Sequence, residues 1–400
     1  MDIMAKKKVY IIIDCCLMLV LTAWTGKQLY EQIHLDFIGA EFITYWSSGH
    51  LLLNGENPYS QDRLMMLQQS KGWTREKPLL MYNLPSAMLF VFPFCIGDYR
   101  ISKLLWMFFV LFLIIASTHL LWSIYGGREK ERFWSLLVLG SFMPAYFMAL
   151  RGQSISLVLM GVVGFLYYMK REKYLIAAIF TALIAIKPHV TYLFWVALLL
   201  WSLHQKKWAI LMWVFLTNVL LLLIPMIFNP HVYEQYVIEM MNMSAAYIWV
   251  TPTTGTFLRS LFGWDKQWLQ HVPMVAGFLW FSVHWHKRRD IWAWDQETPT
   301  LLFVSLLTTV YCWASDFSLL IIMTIQVAIR IAYSPLRMCK AALIATYLFI
   351  NGLALAVFLI FKLIGEHNLI WFVPSLFLWY CLALRTIAPQ MVNKHYSVIR

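Results

Sequence analysis

An all-α polytopic membrane protein is the fold class this sequence predicts, and three observations predict it. The 400 residues are 61% hydrophobic and only 13% charged, whereas a soluble domain carries about 25% charged residues. Apolar runs long enough for membrane helices recur along the whole chain, and the short alternating segments of a transmembrane barrel are absent. Most of the basic residues fall in clusters that a single side of a bilayer would collect. The expected architecture is a bundle of about 12 transmembrane helices in one integral membrane domain, residues 1–400.

The first run, about 9–26, follows Lys6-Lys-Lys8 and resembles a signal peptide. No small-residue cleavage pattern follows it cleanly, so a retained signal anchor is expected. Further spans are expected at about 101–125, 133–150, 154–169, 174–186, 190–203, 208–228, 273–286, 299–315, 317–330, 341–362 and 368–386. The run from Leu84 to Gly97 is shorter and holds Pro85 and Pro93, which suits a re-entrant or interfacial segment. Parity decides its place. If it does not cross, the clusters at Lys6–Lys8, Arg128–Arg132, Lys170–Lys173, Lys206–Lys207, Lys287–Arg289, Arg330–Lys340 and Arg385–Arg400 share one side. If it crosses, every later cluster lies opposite the N-terminus. The preference for cytoplasmic Lys and Arg favours the first arrangement, with both termini cytoplasmic.

The formal charge of +12 is then mostly a cytoplasmic rim, and no nucleic-acid partner is expected. The six cysteines lie mostly within apolar runs without a Cys-x-x-Cys pair, which argues against a disulfide framework or a metal knuckle. The segments left outside are a long loop at 27–100 with surface and re-entrant helices, a second large loop at 229–272, and short turns at Arg151-Gly-Gln153, Lys187-Pro-His189, Trp313–Asp316 and Glu366-His367. Polar residues therefore converge on the extracytoplasmic face.

Candidate chemistry follows that convergence. Asp36 opens the first loop, where partial burial near lipid would suit it as a base for a sugar or lipid hydroxyl; on composition alone a solvated acid or a helix N-cap is the more common role for such a residue. Residues 36–53, with Tyr45, have the pattern of an interfacial helix. Asn57-Pro58-Tyr59 is a turn with an aromatic anchor, and Tyr82 opens the short proline-bearing run. Arg151 with Gln153 can clamp phosphate and hydrogen-bond a sugar, or snorkel to headgroups in an ordinary turn. Lys187 with His189 carries the same two readings. Asp316, between two apolar runs, is expensive there unless it faces water or a partner. It either orients substrate or pairs with an outer cation such as Lys187. Asp14, His119 and Asn218 read as helix-packing groups, and His284 and His286 as part of the cytoplasmic rim. Phosphate-binding Gly-rich loops, a Gly-x-Ser-x-Gly elbow and His-Glu-x-x-His are absent, and neither a metal nor a cofactor is expected.

Asp36-Phe37, Tyr45, Gly55-Glu-Asn-Pro-Tyr59, Tyr82 to Pro85, Gly152-Gln153 and Lys187-Pro188, in that order, resemble glycosyltransferase family 87, the polyprenol-phosphate-mannose-dependent mannosyltransferase-like group of the GT-C membrane enzymes. The resemblance implies a GT-C-like bundle, a sugar donor on a polyprenyl phosphate and an extracytoplasmic site. It also implies that Asp36 is the catalytic aspartate and that Gln153 and Lys187 line the donor site. Two departures stand out. Tyr82-Asn-Leu-Pro85-Ser86 replaces Tyr-x-x-Pro-Pro, and Ser315-Asp316 stands where some members place a His.

The expected function is inverting transfer of a hexose, with mannose as the first guess, from a polyprenyl-phosphate donor to a glycolipid or polysaccharide hydroxyl, in a bacterial plasma membrane. Tyr45, Asn57, Tyr59, Tyr82, Arg151, Gln153, Lys187, His189 and Asp316 are the expected substrate-binding residues. A transporter or flippase of lipid-linked sugars is the alternative. Such proteins tend to show internal repeats and helices broken at mid-membrane, which this sequence does not display.

Overall fold

The computed structural model of the chain describes residues 39–242, 250–334, 337–360 and 366–387. The expected first span at 9–26, with Asp14, and the candidate base Asp36 lie outside the described residues. Among the described residues every regular element is helical. Two short helices, α1 (Phe42–Leu53) and α2 (Gln61–Gln69), precede two 3-10 turns, Pro85–Phe90 and Phe92–Phe94. The long α3 (Tyr99–Ile124) leads to α4 (Phe133–Gly140) and α5 (Met143–Arg151). A run of hairpins follows: α6 (Ile155–Met169), α7 (Tyr174–Ile184), α8 (Tyr192–His204) and α9 (Trp208–Phe228). Next come α10 (Val232–Asn242), α11 (Thr254–Phe262), α12 (Val272–Arg288) and α13 (Trp294–Thr308). A 3-10 segment, Ala314–Leu320, runs into α14 (Ile321–Tyr333), and α15 (Arg337–Ile360) and α16 (Phe372–Ile387) follow. Five of these helical stretches are long and apolar enough to cross a membrane, or six if one bent pair counts as a span. The protein is an all-α membrane protein.

Local sequence explains the boundaries. Asp98 starts α3 by accepting from the backbone N–H of Arg100 and Ile101, at 2.9 and 3.3 Å, an N-cap of the ordinary kind. The run expected as one span at 133–150 is instead two helices bent by 81°. A helix continued through Pro144 would lose the bond to the Gly140 carbonyl and clash with it. The chain breaks at Ser141–Phe142 instead, and the Tyr146 hydroxyl takes the freed Gly140 carbonyl. The expected span at 299–315 is also shorter, since α13 ends at Thr308. Beyond it, side chains take the carbonyls: Gln270 Nε2 donates to Val310 O at 2.6 Å, and Thr309 Oγ1 to Tyr311 O at 3.1 Å.

Lipid is as apolar as a protein core, so helix association rests on close packing. At Gly161 and Gly164 in α6 an added Cβ would sit 2.8 Å from Leu183 Cβ and 2.2 Å from the Phe180 ring. These two glycines let α7 lie directly against α6. Asn218 ties α9 to α7 by donating to Thr181 Oγ1 at 3.0 Å, and His119 meets Ser135 Oγ at 3.1 Å. The 3-10 segment Ala314–Leu320 and α14 are almost wholly buried at the centre.

The bundle has two polar ends. At one, Lys170 Nζ donates to Ile124 O at 2.6 Å, His204 meets Asp290 at 2.9 Å, and His284 and Arg288 share Glu297 at 2.8 Å each. At the other lie Arg151, Lys187, Asp316 and Glu366. Both flanks of the 84–97 run sit at this second end. Asn83 Nδ2 donates to Ile186 O at 3.1 Å, and Tyr99 stacks on Phe42 at 5.9 Å.

Candidate functional site

The site is built where the first loop meets the ends of α5 and α7. The Gly39 N–H bonds the Leu150 carbonyl at 2.7 Å and the Glu41 N–H bonds the Arg151 carbonyl at 3.3 Å, so the start of α1 is fastened to the last turn of α5. That turn closes on Gly152, whose φ of 67° is left-handed and natural for glycine as a helix stop. The space is also closed to a larger residue. A Cβ there would lie 2.9 Å from Met107 Sδ, and Trp106 Nε1 holds the Gly152 carbonyl at 2.8 Å.

Tyr45, one turn into α1, reaches the following residues. Its hydroxyl accepts from Ser154 N at 3.3 Å and donates towards Ser154 Oγ at 3.3 Å or Gln153 Oε1 at 3.4 Å. Burial raises the Tyr45 phenol above its ordinary pKa, and Glu41 adds to this while Lys187 opposes it. The fields of Glu41 and Lys187 therefore meet at Tyr45.

Two cations anchor the cluster, each with carboxylates. Lys187 Nζ bonds Asp316 Oδ1 at 2.7 Å, and both side chains are enclosed, 8% and 0% exposed. The second oxygen, Asp316 Oδ2, accepts from Trp313 N at 2.8 Å, so each carboxylate oxygen has a donor. Burial alone would lower the Lys187 ammonium, but Asp316, with Tyr45 and Glu41 adding to it, raises Lys187 above its ordinary value. Arg151 bonds Glu366 Oε1 and lies 3.2 Å from Glu41 Oε1. These three side chains are 24%, 16% and 25% exposed respectively. Glu366 Oε2 also accepts from Ala314 N at 2.9 Å, which joins the Arg151 group to the turn that carries Asp316.

His189 completes this end. Its ring packs 5.8 Å from the Tyr311 ring, and its Nε2 is buried without a hydrogen-bond partner among the described residues. Burial lowers its pKa to about 4, with Lys187 adding and Asp316 opposing.

The structure brings Tyr45, Arg151, Gln153, Lys187, His189 and Asp316 together. Asn57, Tyr59 and Tyr82 stand behind them. Asn57 Oδ1 caps its own turn at Tyr59 N, 2.9 Å. The buried Tyr59 donates to Asn83 O at 3.5 Å, and Asn83 in turn bonds Ile186 beside Lys187. Tyr82 accepts from Tyr236 through its carbonyl at 3.4 Å. Glu41 and Glu366 are site residues that no motif in the sequence marks. The signal that points to them is charge balance: a semi-buried guanidinium in an apolar chain needs carboxylates at the same end. Among the described residues no three His, Cys, Asp or Glu side chains gather as a metal site.

Compared with known proteins, the chain matches the family model described as Glycosyltransferase family 87 over residues 82–315, more than half its length. No curated protein and no solved structure matches it. The matched region takes in Tyr82, Arg151, Gln153, Lys187 and His189 and stops one residue short of Asp316.

Proposed function

The chain belongs to glycosyltransferase family 87, and from that premise we propose that it moves one hexose from a polyprenyl phosphate to an acceptor hydroxyl with inversion. Mannose is the first candidate sugar, and a glycolipid or polysaccharide the acceptor. The reading places about 12 spans in a GT-C-like bundle, with both termini cytoplasmic and the site on the extracytoplasmic face of a bacterial plasma membrane. The observation that supports it most is the gathering of Arg151, Lys187 and their carboxylates around Tyr45 and Gln153 at one end of the bundle.

The chemistry runs as follows. Asp36, shortly ahead of Gly39 in the sequence, takes the proton of the acceptor hydroxyl. The acceptor oxygen attacks the anomeric carbon, and the bond to the phosphate oxygen breaks with its electron pair leaving on polyprenyl phosphate. A phosphate is a good leaving group, so stabilising its growing charge matters more than protonating it, a task for fixed cations in a water-poor site. Arg151 and Lys187 take that role. The Arg151 group is the more open of the two, and its longer contact, to Glu41, is the one a phosphate oxygen replaces.

The test is transfer of labelled hexose from polyprenyl-phosphate-mannose to a bacterial lipid extract by purified protein. Transfer is expected. Movement of the lipid-linked sugar across vesicles without transfer would instead identify a flippase. Asp36→Asn is expected to insert and fold normally and to lose transfer at least about 100-fold, within the range general-base removal produces. A fully active Asp36→Asn protein removes Asp36 from the mechanism.

A further inference from the structure

We propose that Glu366 is a positioning residue that sets the spacing of Arg151 and Lys187 for the donor phosphate; this rests on the glycosyltransferase reading above. Both of its oxygens are used. One bonds Arg151, and the other accepts from the Ala314 N–H at 2.9 Å. Ala314 opens the 3-10 segment whose Asp316 holds Lys187 at 2.7 Å. Glu366 thus bonds one cation directly and reaches the carboxylate fixing the other through a single short stretch of backbone. It does this from a distant part of the chain, at the 3-10 turn Glu366–Leu369 that precedes α16.

The two carboxylates on Arg151 differ in kind. Glu41 stands at the N-cap of the first-loop helix α1, is 25% exposed and sits at 3.2 Å. Glu366 is 16% exposed and is anchored a second time through Ala314. When a phosphate oxygen takes the place of Glu41, Glu366 keeps the guanidinium where it is. In the transfer step negative charge grows on the departing phosphate, so a cation displaced by a fraction of an ångström stabilises the transition state less while still binding the ground state. An ion pair that serves folding alone has a different signature: it lowers stability and leaves the kinetics of the folded fraction unchanged.

The experiment uses the purified full chain, with polyprenyl-phosphate-mannose as donor probe and a bacterial lipid extract as acceptor. Glu366→Gln is expected to lower donor kcat/KM at least about tenfold, mostly in kcat, while half-saturation by the extract stays within about twofold. Glu366→Asp keeps the charge but shortens its reach, and is expected to lose an intermediate amount; it carries the same test if Glu366→Gln does not fold. Combined with Arg151→Ala, Glu366→Gln should cost much less than it does alone, because the two act through one group. Wild-type donor kinetics in a folded Glu366 variant, a loss that lies in a raised half-saturation by the extract with kcat unchanged, or full multiplicativity with Arg151→Ala each overturn the positioning role. A wild-type protein that transfers nothing overturns the glycosyltransferase reading itself, so the two failures are distinct.

Discussion

Lys187 and Arg151 stand at the same end of one bundle and are held in opposite ways. Lys187 and Asp316 are a one-to-one pair, 8% and 0% exposed, with every oxygen of the carboxylate satisfied. Arg151 shares itself between two carboxylates, and all three side chains keep some exposure. The first arrangement pairs one cation with one carboxylate and is closed, and the second sets two carboxylates on one guanidinium and is the more exposed. A closed pair fixes geometry, whereas an open, over-supplied one can exchange a carboxylate for another anion. In the proposed reaction, Lys187 therefore serves chiefly as a fixed charge and Arg151 as the cation that changes partners.

The largest expected effect breaks the closed side. Asp316→Ala leaves the Lys187 ammonium buried without its carboxylate, and should cost about 3–5 kcal/mol of stability, read as thermal unfolding in detergent. Replacing both partners, with Lys187→Met and Asp316→Leu, should recover most of that loss, because no charge is then left buried. A single variant as stable as wild type would show that the pair is not closed. Arg151→Ala is expected to cost less, about 1–2 kcal/mol, since Glu41 can turn to water and Glu366 keeps its bond from the Ala314 N–H. If Arg151→Ala proves as damaging as Asp316→Ala, the contrast between the two cations disappears.

How much of this was legible from sequence follows from what sequence encodes. Short turns and isolated charges mark which end of the bundle a residue occupies, so the sequence alone puts Arg151, Gln153, Lys187 and Asp316 at one end and offers a Lys187–Asp316 pair as one of two roles for Asp316. Apolar runs, by contrast, look alike wherever they pack. The stretch Ala314–Tyr333 has mean hydropathy 1.6 and 89% of its most apolar window buried, while Trp208–Phe228 has 2.5 and 11%. Hydropathy alone ranks these two the wrong way for centrality, because lipid and core are equally apolar. The partners of Arg151 were hidden for a related reason. Glu41 and Glu366 lie far apart in the chain, and only the packed bundle brings them to one guanidinium. The break at Ser141–Phe142 was partly visible in Pro144, but an apolar run on both sides masked it.

A pH titration sharpens the closed side further. His189 has a pKa of about 4 in the folded protein against 6.5 ordinarily. Above about pH 6.5 it is neutral in both folded and unfolded states, and its contribution to stability is fully present. As pH falls from there towards 4, the unfolded chain gains the proton first, so stability is lost. The expected loss attributable to this ring at pH 5.5, relative to pH 7.5, is about 1–1.5 kcal/mol. It is measured as the part of the wild-type change in unfolding that His189→Asn removes. An identical pH response in the two proteins would mean that the ring meets solvent and that this end is less enclosed than Lys187 indicates.

Tyr45 gives the smallest effect and the most direct link between the two cations, since the fields of Glu41 and Lys187 both act on its phenol. Tyr45→Phe removes a hydroxyl whose contacts to Gln153 and Ser154 are 3.3–3.4 Å, at the long end for such bonds. The expected cost is about 0.5–1 kcal/mol, much of it from leaving the Ser154 N–H without that acceptor. If Tyr45 only packs, this cost adds to that of Arg151→Ala. If its hydroxyl couples the closed and open halves, the double variant departs from additivity by more than about 0.5 kcal/mol, and the two cations then belong to one cooperative unit.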